Sequence, residues 1–204
     1  VEVTPLGGQP DAATPLTGQD LDGLKASWIS TQAELNQAEA ENILRGRLWA
    51  SRVRRRPFWY LRDAGLQVLP GRMFGDVWTW AGRLRQREAN IGIDPQIAVG
   101  LRVLCDDTLA QIGDGSDLPY PADELAVRFH YRLVLVHPFP NGNGRHSRLA
   151  ADLLAAELAA EPFTWGGAEL TTASDLRTDY LAALRRADRS HDFTALIEFA
   201  RRAS

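Results

Sequence analysis

The stretch HPFPNGNGR, residues 137–145, concentrates most of the chemistry that this chain of 204 residues can offer. It follows the apolar run YRLVLV (131–136) and leads into RHSRLAADLLAAELAAE (145–161). His137 is one of four histidines. Pro138 behind it cannot continue a helix and pushes it toward extended geometry, so the imidazole is expected on rigid support where a helix has just ended. Gly142 and Gly144 free the backbone for positive φ, which lets successive N–H groups converge into an anion-binding nest ahead of the next helix's positive end. Arg145 and Arg148 are three apart on that helix's first turn and can address one anion from the same side. The pattern is a phosphate cradle with a base beside it. A plain helix–helix turn accounts for the glycines, but it requires neither the histidine nor the two arginines. A metal site built from His130, His137 and His146 is the weaker reading, because no HxxxH pair or acidic third ligand accompanies them, and His130 is expected as a satisfied core or surface residue.

These residues need helices to hold them, and the chain supplies helix patterns on both sides. PADELAVRFHYRLVLV (121–136) opens with Pro and acids and puts Leu125, Phe129, Leu133 and Val136 on one stripe, a buried helix ending at His137. The alanine- and leucine-rich run after the loop predicts an interior helix. Upstream, Thr31 followed three residues later by Glu34 is a capping box that starts a helix over about 31–52. Further helices are expected at 63–79, at 97–112, and in TASDLRTDYLAALRRA and DFTALIEFARRA near the C-terminus. Ile91 and Ile93 alternate with Asn90, Gly92 and Asp94, which predicts a short extended segment or hairpin at about 86–94. The expected architecture is all-α with one small β element, in a single domain preceded by an irregular arm over residues 1–30.

Composition narrows the function classes. A chain 45% hydrophobic with net charge −3 suits one globular core and carries no electrostatic footprint for nonspecific nucleic-acid binding. RVRRR (52–56) is the one basic run and reads first as a solvated helix end. The single cysteine, Cys105, excludes an internal disulfide and is expected buried. Without an apolar run of membrane-spanning length or a signal-peptide layout, a soluble cytoplasmic protein is the expectation.

HPFPNGNGRHSR (137–148) closely resembles the signature of Fic-domain proteins, and FGDVWTWAGRLR (74–85) is similar to the segment that precedes the target-docking flap in that family. The resemblance covers about residues 70–200 and implies a compact helical Fic fold over 53–204. It also implies transfer of AMP from ATP to a Ser, Thr or Tyr hydroxyl of a target protein. By that resemblance His137 is the general base and Phe139 the anchor of the loop. Gly142, Asn143 and Gly144 form the anion hole, Arg145 serves the α/β-phosphates and Arg148 the γ-phosphate. Asn90, Ile91, Gly92 and Ile93 form the flap that aligns the target backbone by strand addition. Asn141 stands where the family usually has Asp or Glu, and its amide is a weaker hold on Mg²⁺ or Mn²⁺.

Gln37, Glu41, Leu44 and Leu48 fall on one helical stripe, so Glu41 is expected to face the core with two leucines. QAEAENI (37–43) resembles the family's inhibitory-helix motif, with Gln37 where Ser or Thr is usual. By that resemblance Glu41 engages Arg148 and blocks the γ-phosphate, an intramolecular brake. The same segments also look like the Fic subfamily called mobile mystery protein B. The expected function is an autoinhibited bacterial protein adenylyltransferase. Its rivals are a nucleotide-binding regulatory or toxin–antitoxin partner weakened by Asn141, and a Fic enzyme with other chemistry, such as removal of AMP or transfer of UMP.

Overall fold

The computed structural model describes residues 18–53, 56–62, 64–86, 96–114, 117–167 and 175–202. Among them the regular structure is helical: α1 (Gly18–Leu21), α2 (Gln32–Arg52), a 3₁₀ turn η1 (Trp59–Leu61), α3 (Gly65–Phe74) and α4 (Ile97–Ile112). Then follow α5 (Ala122–Val136), α6 (Asn143–Glu157), α7 (Asp175–Ser190) and α8 (Thr194–Arg201). The expected extended segment, with Asn90, Ile91, Gly92 and Ile93, lies outside the described residues, as does most of the N-terminal arm. The one extended pairing among the described residues is an antiparallel bridge of Leu24 with Trp78.

Helices α5 and α6 form the centre. Leu125, Ala126, Phe129 and Leu133 of α5 are buried with Ala150, Ala151, Leu154 and Ala155 of α6, and the alanines let the two helices approach closely. Phe199 and Leu196 of α8 and Leu69 and Met73 of α3 close this core from either side.

Helix α2 starts as its sequence dictates. Thr31 Oγ1 accepts the Glu34 N–H at 3.2 Å while the Glu34 carboxylate accepts the Thr31 N–H at 3.0 Å. Which face it buries differs from expectation. The inward residues are Leu35, Glu39, Asn42, Gly46 and Ala50, whereas Leu44 is 59% exposed and Leu48 44% exposed. Gly46 gives the reason: a Cβ there would lie 2.9 Å from the Arg72 carbonyl oxygen and from Met73 Cα. The two helices cross backbone to backbone at Gly46, and only that small-residue face of α2 permits the approach.

The helix expected over 63–79 runs only from Gly65 to Phe74, and α2 causes the early stop. Asn42 Oδ1 accepts the Asp76 N–H at 2.9 Å and its Nδ2 donates to the Arg72 carbonyl at 3.2 Å. One side-chain amide thus stands in for the 76-to-72 hydrogen bond that would have continued the helix. The chain then turns through 75–82 into an irregular run at 83–86 that reaches the candidate site.

Candidate active site

Helix α5 ends at His137, whose N–H still bonds to the Leu133 carbonyl at 3.2 Å while its own backbone turns left-handed at φ 47°. This turn lies in the left-handed region in place of the extended geometry expected ahead of Pro138, and histidine tolerates that region better than most residues. Arg85 fixes it from outside: its Nε donates to the His137 carbonyl at 2.7 Å and its N–H to the Pro138 carbonyl at 2.8 Å. Segment 83–86 is therefore tied to the loop by both backbone and side chain. His137 is 7% exposed. Burial pushes its pKa down to about 4, with the Arg85 charge adding to the effect and the Val134 carbonyl opposing it. The imidazole is thus neutral at neutral pH, the form that can take up a proton.

The loop closes on Asn143. The Asn143 Oδ1 accepts the Phe139 N–H at 2.9 Å and its Nδ2 donates to the Phe139 carbonyl at 2.8 Å. Phe139 itself is 1% exposed, packed edge-on against His146, and anchors the loop in the core. The Asn143 side chain is thereby the staple of the loop, with both ends of its amide committed to backbone. Gly142 has φ 77°, and a Cβ there would lie 2.7 Å from the Phe74 ring, so both conformation and space require glycine. Gly144 is different: its nearest neighbour would be Arg148 Nη1 at 3.7 Å, ordinary contact distance. The space in front of Gly144, at the first turn of α6, is open to the backbone N–H groups that an anion would use. Asn141 Oδ1 accepts the Gly142 N–H, so its oxygen faces the loop backbone.

Arg145 and Arg148 both project beside this turn, near enough for their charges to repel. Arg145 lies over the Phe74 ring at 4.8 Å and donates through Nη1 to Glu39 Oε2 at 2.7 Å. The other Glu39 oxygen accepts the Trp78 indole N–H at 2.7 Å. Both carboxylate and guanidinium are largely buried, with side chains 10% and 19% exposed.

The carboxylate that reaches the loop is therefore Glu39, and the arginine it meets is Arg145. Glu41 is exposed and accepts from Gln37 at 3.3 Å, on the far side of α2. The expected Glu41–Arg148 pairing is thus corrected. Positions 39 and 41 are roughly 200° apart around a helix, so burying one exposes the other. Arg148 instead bonds to the Tyr180 hydroxyl of α7.

Residues 39, 74, 78, 85 and 180 complete the site, and none stands out by type in the sequence. The signal for Glu39 was its place on one face with Leu35, Asn42 and Gly46, where glycine marks a close helix crossing. A separate cavity of about 480 Å³, lined by Arg62, Leu66, Leu101, Arg102 and Cys105, borders none of these groups. Burial pushes the Cys105 thiol up to about 12, so it is no nucleophile at neutral pH. No group of three or more His, Cys, Asp or Glu able to hold a metal occurs among the described residues. None of the described helices is long and apolar enough to cross a membrane.

A helical bundle that sets a neutral imidazole beside an anion-binding helix N-terminus and two arginines is suited to chemistry on phosphate. Residues 70–155 match the family model described as Fic/DOC family, which assigns a Fic-type domain to that part of the chain. It is 31% identical over 109 residues to protein adenylyltransferase fic-1 of Caenorhabditis elegans, an overlap of 53% of this chain and 20% of that protein. The chain thus spans about a fifth of the length of that curated relative. Among solved structures it resembles the BepC protein of Bartonella tribocorum, a VirB-translocated effector with bound AMPPNP. The TM-score is 0.62 at 17% identity, covering 91% of this chain and 97% of that one. The N-terminal Fic domain of a putative cell filamentation protein from Bartonella quintana gives a TM-score of 0.64 at 16% identity, covering 94% and 88%. At those identities the likeness is one of fold.

Proposed function

We propose that the chain is a protein adenylyltransferase held in check by its own α2 helix, with Glu39 as the brake. The observation that carries this reading is the Glu39–Arg145 ion pair at 2.7 Å, which occupies a cation at the mouth of the nest beside a neutral His137. The name of the fic-1 relative and the nucleotide in the BepC structure support ATP as the AMP donor.

In this reading the α-phosphate of ATP sits against the N–H groups at Asn143 and Gly144, where the α6 dipole favours negative charge. The target hydroxyl oxygen attacks the α-phosphorus, its proton passes to the His137 imidazole, and the bond to pyrophosphate breaks. Arg145 and Arg148 take the charge that accumulates on the leaving phosphates. While Glu39 holds Arg145, an anion must displace a carboxylate before it can use that guanidinium. A Mg²⁺ or Mn²⁺ ion would neutralise the phosphates, but the protein offers it little. Asn141 presents one neutral oxygen, turned onto the Gly142 N–H, so such an ion would arrive with the nucleotide and rest chiefly on phosphate oxygens. The target is a protein with an accessible hydroxyl side chain, docked on the segment that follows residue 86.

The test is labelling of protein by ATP carrying the label on the α-phosphate, with the Glu39→Gln chain. Labelling that appears in that variant and disappears when His137→Ala is added supports transfer. Nucleotide binding without labelling of any protein favours the nucleotide-binding regulator instead, a reading that the Asn141 orientation encourages. Mass spectrometry of the labelled protein separates AMP from UMP or another phosphate-linked group.

A further inference from the structure

Behind Arg148 lies a buried polar chain to which no step above assigns a part. The Arg148 guanidinium reaches back from the nest to the hydroxyl of Tyr180, its carbon 5.9 Å from that ring's centre. The Tyr180 hydroxyl in turn lies 3.0 Å from His130 Nε2 on α5. Tyr180 is 6% exposed and His130 is completely buried, its ring packed against Trp165 at 4.6 Å. Sequence alone placed His130 as a satisfied core or surface residue.

Proton counting gives this chain a direction. Arginine is only a donor, so the Tyr180 oxygen accepts from Arg148. The single hydroxyl proton must then go to His130 Nε2, which leaves the ring proton on Nδ1. That demands a neutral imidazole, and burial, reinforced by the Arg148 charge, lowers the His130 pKa to about 3. On its other side, Asp152, one turn along α6, provides negative charge for Arg148. Asp152 is itself held by the Trp165 indole N–H at 2.8 Å and by Arg47 of α2 at 3.6 Å. An arginine side chain has considerable rotamer freedom to lose, and these contacts remove it before any ligand arrives. Arg148 Nη1 lies 3.7 Å from where a Cβ on Gly144 would stand, at the nest.

We propose that Tyr180 and His130 are positioning residues that lock Arg148 toward the outer phosphates of the nucleotide. The inference rests on the adenylyltransferase reading and adds to it how the second arginine is aimed. It makes the grip on outer phosphates depend on a hydroxyl from α7 and an imidazole from α5, neither of which touches the nucleotide. AMP, which lacks those phosphates, is insensitive to the arrangement.

The experiment is calorimetric titration of ATP and of AMP into the full chain carrying Glu39→Gln, alone and combined with each further variant, with a thermal melt of each. Tyr180→Phe keeps the ring and removes the hydroxyl, and its ATP dissociation constant should rise about tenfold, the worth of one hydrogen bond to a charged group. Its AMP affinity should stay within twofold. For His130, the replacements Gln and Phe separate positioning from packing. Gln offers an acceptor oxygen in the same direction and should retain most of the ATP affinity. Phe fills the buried site better, so it should melt higher than Gln yet bind ATP several-fold more weakly. ATP affinities that follow the melting order, or ATP and AMP affinities that shift together, overturn the inference. So does a Tyr180→Phe variant that binds ATP as its parent does, and in that case nucleotide binding and the adenylyltransferase reading still stand. If the Glu39→Gln chain binds neither nucleotide, that reading falls and the inference goes with it.

Discussion

Removing the negative charge of Glu39 should loosen the fold and tighten nucleotide binding at the same time. The pair joins Glu39 Oε2 to Arg145 Nη1 at 2.7 Å, with side chains 10% and 19% exposed. At that burial the direct attraction is on the order of 4 kcal/mol for an effective dielectric of about 20, before desolvation is subtracted. The net worth of a hydrogen bond between charged groups is about 1.5–3 kcal/mol. A phosphate that must first displace Glu39 loses that amount, so the resting chain should bind ATP about 10- to 150-fold more weakly than the Glu39→Gln chain. Gln is the right replacement because its amide oxygen can still accept the Trp78 indole N–H, which Glu39 Oε1 accepts at 2.7 Å. The same variant should lose about 1–3 kcal/mol of stability in urea titration, since Arg145 stays partly buried without its partner. Calorimetric titration with ATP reads the first effect. A Glu39→Gln chain that folds and binds ATP within twofold of the parent would refute the reasoning. Glu41→Gln is the control: Glu41 is exposed and away from the loop, so neither affinity nor stability should move.

The other expectations concern the loop and the buried histidines. Gly142→Ala should cost about 1–2 kcal/mol from positive φ alone, and more because its Cβ would meet the Phe74 ring at 2.7 Å; thermal melting measures it. Gly144→Ala should melt close to the parent, since its Cβ meets only Arg148 Nη1 at 3.7 Å, yet lose ATP affinity by filling the nest; undiminished affinity would count against the nest. Asn143→Ala breaks the two bonds to Phe139 at 2.9 and 2.8 Å and should destabilise by about 2–3 kcal/mol in urea. Acid should unfold the chain steeply. His130, His137 and His146 have folded pKa values lowered to about 3, 4 and 3, so between about pH 6.5 and 4 the unfolded chain binds three protons that the folded chain refuses. Asp152, raised to about 6 chiefly by burial, binds one proton in the folded state and offsets part of this. Two net protons make stability full above about pH 6.5 and lower by roughly 2.7 kcal/mol per pH unit below about pH 6. Urea midpoints measured from pH 7 to 4.5 test the slope, and His146→Leu should reduce it by about 1.4 kcal/mol per unit.

Much of the loop over 137–142 was legible because its determinants are local. Pro138 ends α5 wherever α5 packs, Gly142 is required by its own positive φ, and Phe139 was expected in the core and is there. Arg145 and Arg148 were placed on the first turns of α6 by their spacing alone. Their partners were not legible, because Glu39, Trp78 and Tyr180 come from elements 30 to 110 residues away, and no local pattern records such a meeting. Asn42 shows the same limit: read as part of a motif, it proves to be the residue that stops α3 by replacing a helical hydrogen bond.

Sequence by itself determined that α2 exists, where it starts, and that it carries two carboxylates two positions apart. The Thr31–Glu34 box needs nothing beyond its own four residues. Which of Glu39 and Glu41 would matter was decided only by tertiary structure. Gly46 lets the α2 and α3 backbones touch, that contact sets the rotation of α2 about its axis, and the rotation turns Glu39 onto Arg145 and Glu41 into water.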